Sequence, residues 1–202
     1  FWSAWQPERN IDFHSFWWDT GDTRIAFDPL PWPGPTPTDW IIITNADHWR
    51  ATAEWKVTTQ ACVAAPKGGG ARVGDGAGLV GLWLGAAGLP AVLEPHLRAW
   101  TLTGGKSPEL AFELRGLDTL LFGDTVRSHV AGRLCTLPAA KWTDANGVYA
   151  SLARVAAERP TPLRAILLGD GECIFRGAEE AWGEFVAELP RTAHQDPTAD
   201  RQ

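Results

Sequence analysis

Three times in this chain a short, uninterrupted apolar run ends in a tight polar cluster. Ile41-Ile42-Ile43 leads into Thr44-Asn45-Ala46-Asp47-His48-Trp49-Arg50, Leu120-Leu121-Phe122 leads into Gly123-Asp124-Thr125, and Leu167-Leu168 leads into Gly169-Asp170-Gly171-Glu172. An apolar run that does not alternate reads as a strand covered on both faces, which places it centrally in a layered α/β arrangement. Strands lying side by side bring the groups just past their carboxyl ends together. Glycine permits a sharp exit from the strand, and aspartate supplies a short, rigid oxygen donor. The same constraint therefore fixes both a fold class and the place to look for chemistry.

The rest of the chain fits that layout. Phe13 to Trp18 and Thr23 to Asp28 form a hairpin across Asp19-Thr20-Gly21-Asp22. Pro29 to Pro37 is too proline-rich for regular structure. Asn45 can cap a helix running to about Lys56, and Ala61 to Ala65 is a further short strand. Lys67 to Gly78 is a glycine-rich loop, followed by a short helix over Leu79 to Ala87. Leu97 to Thr103, Glu109 to Leu114 and Thr119 to Phe122 read as successive strands. Asn146 to Arg159 is an amphipathic helix with Val148, Leu152 and Val155 on one stripe. Leu163 to Leu168 is a buried strand, and Ala178 to Leu189 is the last helix. No linker or internal repeat divides the chain. The expectation is one α/β domain over residues 1–202, with a polar tail from about residue 191.

Composition excludes several functions. The net charge of -6 argues against a nucleic-acid partner, which needs a basic face. No apolar run reaches the ~20 residues of a membrane span. Cys62, Cys135 and Cys173 show no metal or disulfide spacing, which points to buried, reduced thiols and a cytoplasmic setting. The opening residues lack the basic and apolar blocks of a secretory leader. Twelve tryptophans are spread along the chain rather than gathered into a stacking platform. They are core material first, and a tryptophan-lined face would suit the interface of a homodimer.

In its polar clusters the chain resembles the metallo-β-lactamase superfamily. There a strand-ending threonine precedes a His-x-His-x-Asp-His zinc-ligand motif, and Thr44 matches it. In that registration Asn45 and Asp47 stand at the first two histidines, Trp49 at the aspartate and Arg50 at the last histidine. A second registration pairs Asp47-His48 with the terminal Asp-His and puts Ile43 and Asn45 at the earlier histidines. The family's Pro-Gly-His-Thr-Pro-Gly segment looks like Gly104 to Glu109, with Lys106 at the histidine. Asp124 looks like the metal-bridging aspartate, and Gly169-Asp170-Gly171 looks like Gly-His-Gly. The resemblance implies an αββα sandwich of two mixed sheets flanked by helices, and a hydrolase.

The donor types argue a different chemistry. Zinc wants three or four nitrogen or sulfur ligands. Asn45, Asp47, Asp124 and Asp170 offer only oxygen, which suits a hard cation. Arg50 and Lys106 would repel any metal, so the simpler expectation is that they replace its charge and neutralise Asp47, Asp124 and Asp170. That predicts no cofactor, with one divalent cation on Asp47, Asp124 and Asp170 as the alternative. His48 would point away from Asp47, and His129 follows Asp124 closely enough to approach the pocket. Two main functions stay open. One is a non-catalytic member binding a small polar ligand. The other is a metal-dependent hydrolase (Mg, Mn or Zn) of a small ester, thioester or phosphoester, with Asp47, Asp124 and Asp170 as the catalytic set. A third, dinucleotide binding at Gly76-Ala77-Gly78-Leu79-Val80-Gly81, requires a strand directly before the glycines.

Overall fold

The central strand Trp40–Ile42 (β4) lies fourth in a six-stranded sheet, in line with its unbroken apolar sequence. Before it come β1 (Trp2–Gln6), β2 (Ile11–Asp19) and β3 (Arg24–Phe27); after it come β5 (Cys62–Pro66) and β6 (Leu82–Leu84). These six lie in chain order, antiparallel from β1 to β3 and parallel from β3 to β6. A second sheet contains β7 (Leu97–Leu102), β8 (Glu109–Leu114), β9 (Thr119–Phe122) and, beyond the hairpin of β10 (Val126–Val130) and β11 (Arg133–Thr136), β12 (Ala165–Leu168). Its order is β12-β9-β8-β7, with β12 parallel to β9. The computed structural model describes residues 1–34, 36–85 and 88–190.

Three apolar layers hold the sheets and helices together. Phe27, Ile42 and Ala64 from the first sheet meet Leu110, Phe112 and Leu121 from the second. Ile41, Ile43 and Val63 face outward under helix α1 (Thr52–Thr59), whose Trp55 is fully buried and stacks on Trp2. Leu120, Phe122 and Leu168 face the other way, under α3 (Ala145–Glu158) and α4 (Ala178–Glu188), which follow the four-residue α2 (Gly70–Val73). In α3, Val148, Leu152 and Val155 form the buried stripe their spacing predicted. In α4, Trp182 stacks on Phe122 at 5.5 Å between ring centroids. Four layers result, α/β/β/α, as the sequence led one to expect. No helix among the described residues is long and apolar enough to cross a membrane.

Several local readings are corrected. The helix expected from Asn45 to Lys56 is a 3₁₀ turn over Ala46–His48 and then α1, broken at Arg50, whose backbone is left-handed with φ of 42°. Asn45 does cap the turn, its side chain accepting from the Asp47 amide. The glycine-rich loop contains α2 and a 3₁₀ turn over Gly74–Leu79, and in place of the helix expected over residues 79–87 the described residues hold strand β6 at Leu82–Leu84. The glycines of the dinucleotide reading thus follow a helix rather than a strand, which removes its structural premise. Strands β1, β10 and β11 were not anticipated: β1 alternates between half-buried and exposed residues, and β10 and β11 carry few apolar residues. Cys62, expected buried, is exposed, and all three cysteines are free. The polar tail from residue 191 lies outside the described residues.

The sheets close on each other at the carboxyl ends of β4, β9 and β12. Leu110 donates its amide to the Thr44 carbonyl at 2.7 Å, and His14 donates to the Gly169 carbonyl at 2.8 Å. Single bridges tie Asn45 to Glu109 and Phe13 to Asp170. These links fix the polar clusters of the two sheets relative to one another.

Candidate functional site

The site begins with a residue that its sequence context places only in a hairpin. Asp28 follows β3 with a left-handed φ of 46° and is 2% exposed. Its carboxylate accepts from the Thr44 amide at 2.7 Å and from the Thr44 hydroxyl at 2.5 Å. It also pairs with Nδ1 of His48 at 2.9 Å. Three partners on one buried carboxylate fix the end of β4 and the orientation of the His48 ring. Asp47 and His48 do point apart, as expected, but it is the His48 ring that the 3₁₀ turn swings into the cluster. Its Nε2 lies 3.4 Å from Asp124 Oδ1 and 3.8 Å from Asp170 Oδ1.

Two arginines complete this centre. Arg127, on β10, donates through Nη2 to Asp124 Oδ1 at 2.9 Å and to Asp170 Oδ2 at 3.1 Å. Arg50 donates to Asp170 Oδ1 at 3.2 Å and to the His14 carbonyl at 2.7 Å, and its guanidinium lies over the Phe13 ring at 4.7 Å. Three cations (His48, Arg50 and Arg127) thus face three buried or half-buried aspartates (Asp28, Asp124 and Asp170).

The protonation states follow from this packing. Burial and the Arg50 charge oppose a proton on His48, but the Asp28 and Asp124 carboxylates outweigh them and raise its pKa to about 10. Burial works against the charge on Asp124 too, yet the His48 hydrogen bond and charge, with Arg127, hold it well below the ordinary carboxylate range. Asp170 is pushed up to about 6 by burial and by the neighbouring Asp124 charge, against the pull of His48 and Arg50. The pair therefore keeps its negative charge first on Asp124.

Glu109 forms a second buried node, at the start of β8. One carboxylate oxygen accepts from the Asp124 and Thr125 amides at 3.0 and 2.9 Å. The other accepts from the Thr125 hydroxyl at 3.0 Å and the Asn45 amide nitrogen at 2.8 Å. Burial and the Asp124 charge raise Glu109 to about 7, while the Thr125 and Asn45 bonds hold it back. Its donors fix the turn that carries Asp124, and Gly123 in that turn has no room for a side chain, since a Cβ would stand 2.6 Å from the Thr44 hydroxyl.

The predicted residues separate into two groups. Asp124, Asp170, His48 and Arg50 come together, and Asn45 joins through Glu109. Asp47 does not join them: it is nearly half exposed on the cleft rim and pairs with Arg72 at 3.3 Å. Lys106 lines the same cleft but is exposed and forms no ion pair among the described residues, so Arg127 plays the neutralising role expected of it. His129 is exposed on β10 and does not line the cleft. Asp28, Glu109 and Arg127 were missed. Asp28 closes a strand just before a proline, and Arg127 follows Asp124 by three residues; those positions are the only signals the sequence offered.

His48, Asp124 and Asp170 also form a candidate metal-binding group, with one donor atom from each lying within 4.8 Å of the others. A doubly protonated imidazole has no lone pair to give, and a guanidinium within hydrogen-bond reach of both carboxylates competes directly for the position a metal would take. The open space above this centre is a cleft of about 780 Å³, within the usual range for small-molecule sites.

A family model described as the metallo-beta-lactamase superfamily matches residues 1–189. A metallo-beta-lactamase from Pontibacter korlensis superposes with a TM-score of 0.70 at 11% identity, over 94% of each chain. The metallo-beta-lactamase FIM-1 from Pseudomonas aeruginosa, in a mono-zinc form, gives 0.62 at 16% identity, over 93% of this chain and 90% of that one. The protein TTHA1623, in a di-iron-bound form, gives 0.64 at 16% identity, over 89% of this chain and 97% of that one. At such identities these likenesses establish the fold alone. No curated protein matches the chain.

Proposed function

The chain belongs to the metallo-β-lactamase superfamily, and from that premise we propose that it is a metal-free member whose cleft binds a small polar molecule. The observation that carries this reading is Arg127, whose single Nη2 donates to Asp124 and Asp170 at 2.9 and 3.1 Å. With Arg50 and a protonated His48, the centre balances three aspartates by three fixed cations. Adding a divalent ion would displace Arg127 from the carboxylate oxygens it holds and would leave an excess of positive charge in a buried space. The remaining polar framework at the strand ends (Asp28, Thr44, Asn45 and Glu109) then serves to hold the floor of a binding cleft rigid.

A second reading has its own support. His48 is oriented through Nδ1 by Asp28, the arrangement usual for a metal-bound imidazole, and its Nε2 faces two carboxylates. On that reading His48, Asp124 and Asp170 would hold one ion, which would supply a Lewis acid for hydrolysis of a small ester, thioester or phosphoester. Elemental analysis of protein purified without chelator, repeated after incubation with Mn²⁺, Fe²⁺ or Zn²⁺, decides between the two. The proposal expects far less than one ion per chain in both preparations. About one ion per chain overturns it.

A further inference from the structure

The positive charge along this cleft exceeds what its floor consumes. The chain as a whole is acidic, with 24 acidic against 18 basic residues. Yet Arg9, Arg50, Arg72, Lys106, Arg127 and Lys141 all line one cleft. Arg50 and Arg127 are committed to Asp170 and Asp124, and Arg72 shares the exposed Asp47. Arg9, Lys106 and Lys141 have no carboxylate partner among the described residues. Three uncompensated cations facing one concavity, in a protein whose average surface repels anions, form a local field that concentrates a small anion.

These groups are built into neighbouring backbone rather than scattered. The Lys106 amide donates to the Lys141 carbonyl at 3.0 Å, so the two lysines project from paired segments. Arg72 reaches the same point, its Nη2 donating to the Lys106 carbonyl at 3.1 Å. Ser107, beside Lys106 in the cleft wall, has a buried hydroxyl with no hydrogen-bond partner among the described residues. Arg9 and Arg50 lie over the same Phe13 ring, at 5.4 and 4.7 Å from its centre. Buried hydroxyls normally find a partner, and this one belongs to the residue that follows Lys106 in the chain.

We infer that this cleft is a binding site for a small molecule bearing a phosphate group. A dianionic group with several acceptor oxygens can engage more of these cations at once than a carboxylate, which carries one charge and fewer acceptors. The inference rests on the metal-free reading above, because a metal on the floor would itself attract phosphate.

Calorimetric titration at low salt tests it, on protein treated with EDTA and dialysed. The probes are inorganic phosphate, pyrophosphate and glycerol phosphate, with succinate as the non-phosphate dianion. The expected result is stoichiometric pyrophosphate binding that survives EDTA and weakens at least about tenfold in Lys106→Ala/Lys141→Ala, a substitution of two exposed side chains. Binding of glycerol phosphate tighter than that of inorganic phosphate identifies an organic phosphoester as the occupant; the reverse order identifies the free ion, and both support the site. Succinate binding as tightly as pyrophosphate, no phosphate binding, or an unchanged affinity in the double variant overturns the inference and leaves the metal-free reading standing. Binding present before EDTA and absent after it overturns both. Should the double variant fail to fold, Arg9→Ala, in the exposed turn before β2, gives the same comparison.

Discussion

Removing Arg127 should destabilise the fold and, at the same time, create a metal site. In Arg127→Ala the carboxylates of Asp124 and Asp170 lose the donor they share at 2.9 and 3.1 Å. Deleting one member of a buried ion pair typically costs about 3–5 kcal/mol. Arg127 is 13% exposed and Arg50 and His48 remain in place, so about 3 kcal/mol is the expected loss. For a chain of this length that lowers Tm by roughly 6–12 °C. The deficit carries a pH signature. Asp170 already titrates near 6, above the ordinary value of 3.8. A carboxyl raised in the folded state contributes stability below its unfolded pKa and loses it as pH rises through the folded one. Loss of Arg127 raises it further, so the gap between variant and wild type should be widest above pH 7 and narrow toward pH 4. The second half of the prediction is rescue. With the guanidinium gone, Mn²⁺ or Zn²⁺ should recover part of the loss, about 2.7 kcal/mol at a hundredfold excess over Kd, while wild type does not respond. Thermal denaturation with and without each ion, at pH 4.5 and 7.5, gives both answers. A Tm change under about 2 °C, or equal metal stabilisation of wild type and variant, refutes the charge-replacement argument.

Three further outcomes follow from the same geometry. His48 has a folded pKa of about 10 against 6.5 unfolded, so its contribution is complete below pH 6.5 and is lost as pH rises through 10; the stability gap between wild type and His48→Gln, measured by urea denaturation, should shrink between pH 7 and 10, and the His48 ring nitrogens should not titrate by NMR between pH 5 and 8. Asp28→Asn keeps the shape but removes the charge that faces His48 and the acceptor for the Thr44 hydroxyl, and should cost about 2–4 kcal/mol by the same denaturation measurement. Gly169→Ala would place a Cβ 2.8 Å from the His48 ring and 2.9 Å from the Gly123 carbonyl, and should cost about 1–3 kcal/mol while shifting the His48 NMR signals, whereas Gly183→Ala, with open space around it, should do neither.

The layers of this fold were legible because burial on two faces leaves an unmistakable pattern. Ile41 to Ile43, Leu120 to Phe122 and Leu167 to Leu168 admit no polar residue; the first two lie in or directly after the interior strands β4 and β9, and the third ends β12, an edge strand covered on both faces. The edges were harder. In β1, Trp2 and Ala4 are only half buried between exposed Ser3 and Trp5, so no face declares itself. The site was half legible for a related reason. Asp124 and Asp170 sit directly past apolar runs, where the strand fixes their position. Asp47 was grouped with them because the registration on Thr44 puts it at a ligand position, which says nothing of the way its side chain points. The 3₁₀ turn at Ala46–His48 rotates the chain by a third of a turn per residue, which turns Asp47 to solvent and His48 inward. Lys106 was given the part that Arg127 plays for a different reason. A long side chain reaches across several ångströms, so its sequence neighbours do not reveal which carboxylate it meets.

On the metal-free proposal, the two arginines have different parts. Arg50 is tied to the His14 carbonyl, to Asp170 and to the face of Phe13, so it links the two sheets whether or not anything binds between them. Arg127 has no comparable anchor elsewhere among the described residues. Its Nη2 contacts are Asp124 and Asp170, and its Nε reaches only the Asp124 carbonyl at 3.4 Å. Two carboxylates beside each other in a buried space require a cation, and a guanidinium or a metal ion can supply it, but the two cannot share the same oxygens. A guanidinium donates along fixed N–H directions near 3 Å, whereas a metal draws its ligands to about 2 Å. Occupation by one therefore excludes the other by distance as well as by charge. It follows that Arg127→Lys should behave as an intermediate: a single ammonium keeps the charge but not the fork, so it should recover stability relative to Arg127→Ala while still refusing Mn²⁺ and Zn²⁺. If the lysine variant binds metal as readily as the alanine variant, it is the bulk of Arg127 and not its charge that keeps the ion out.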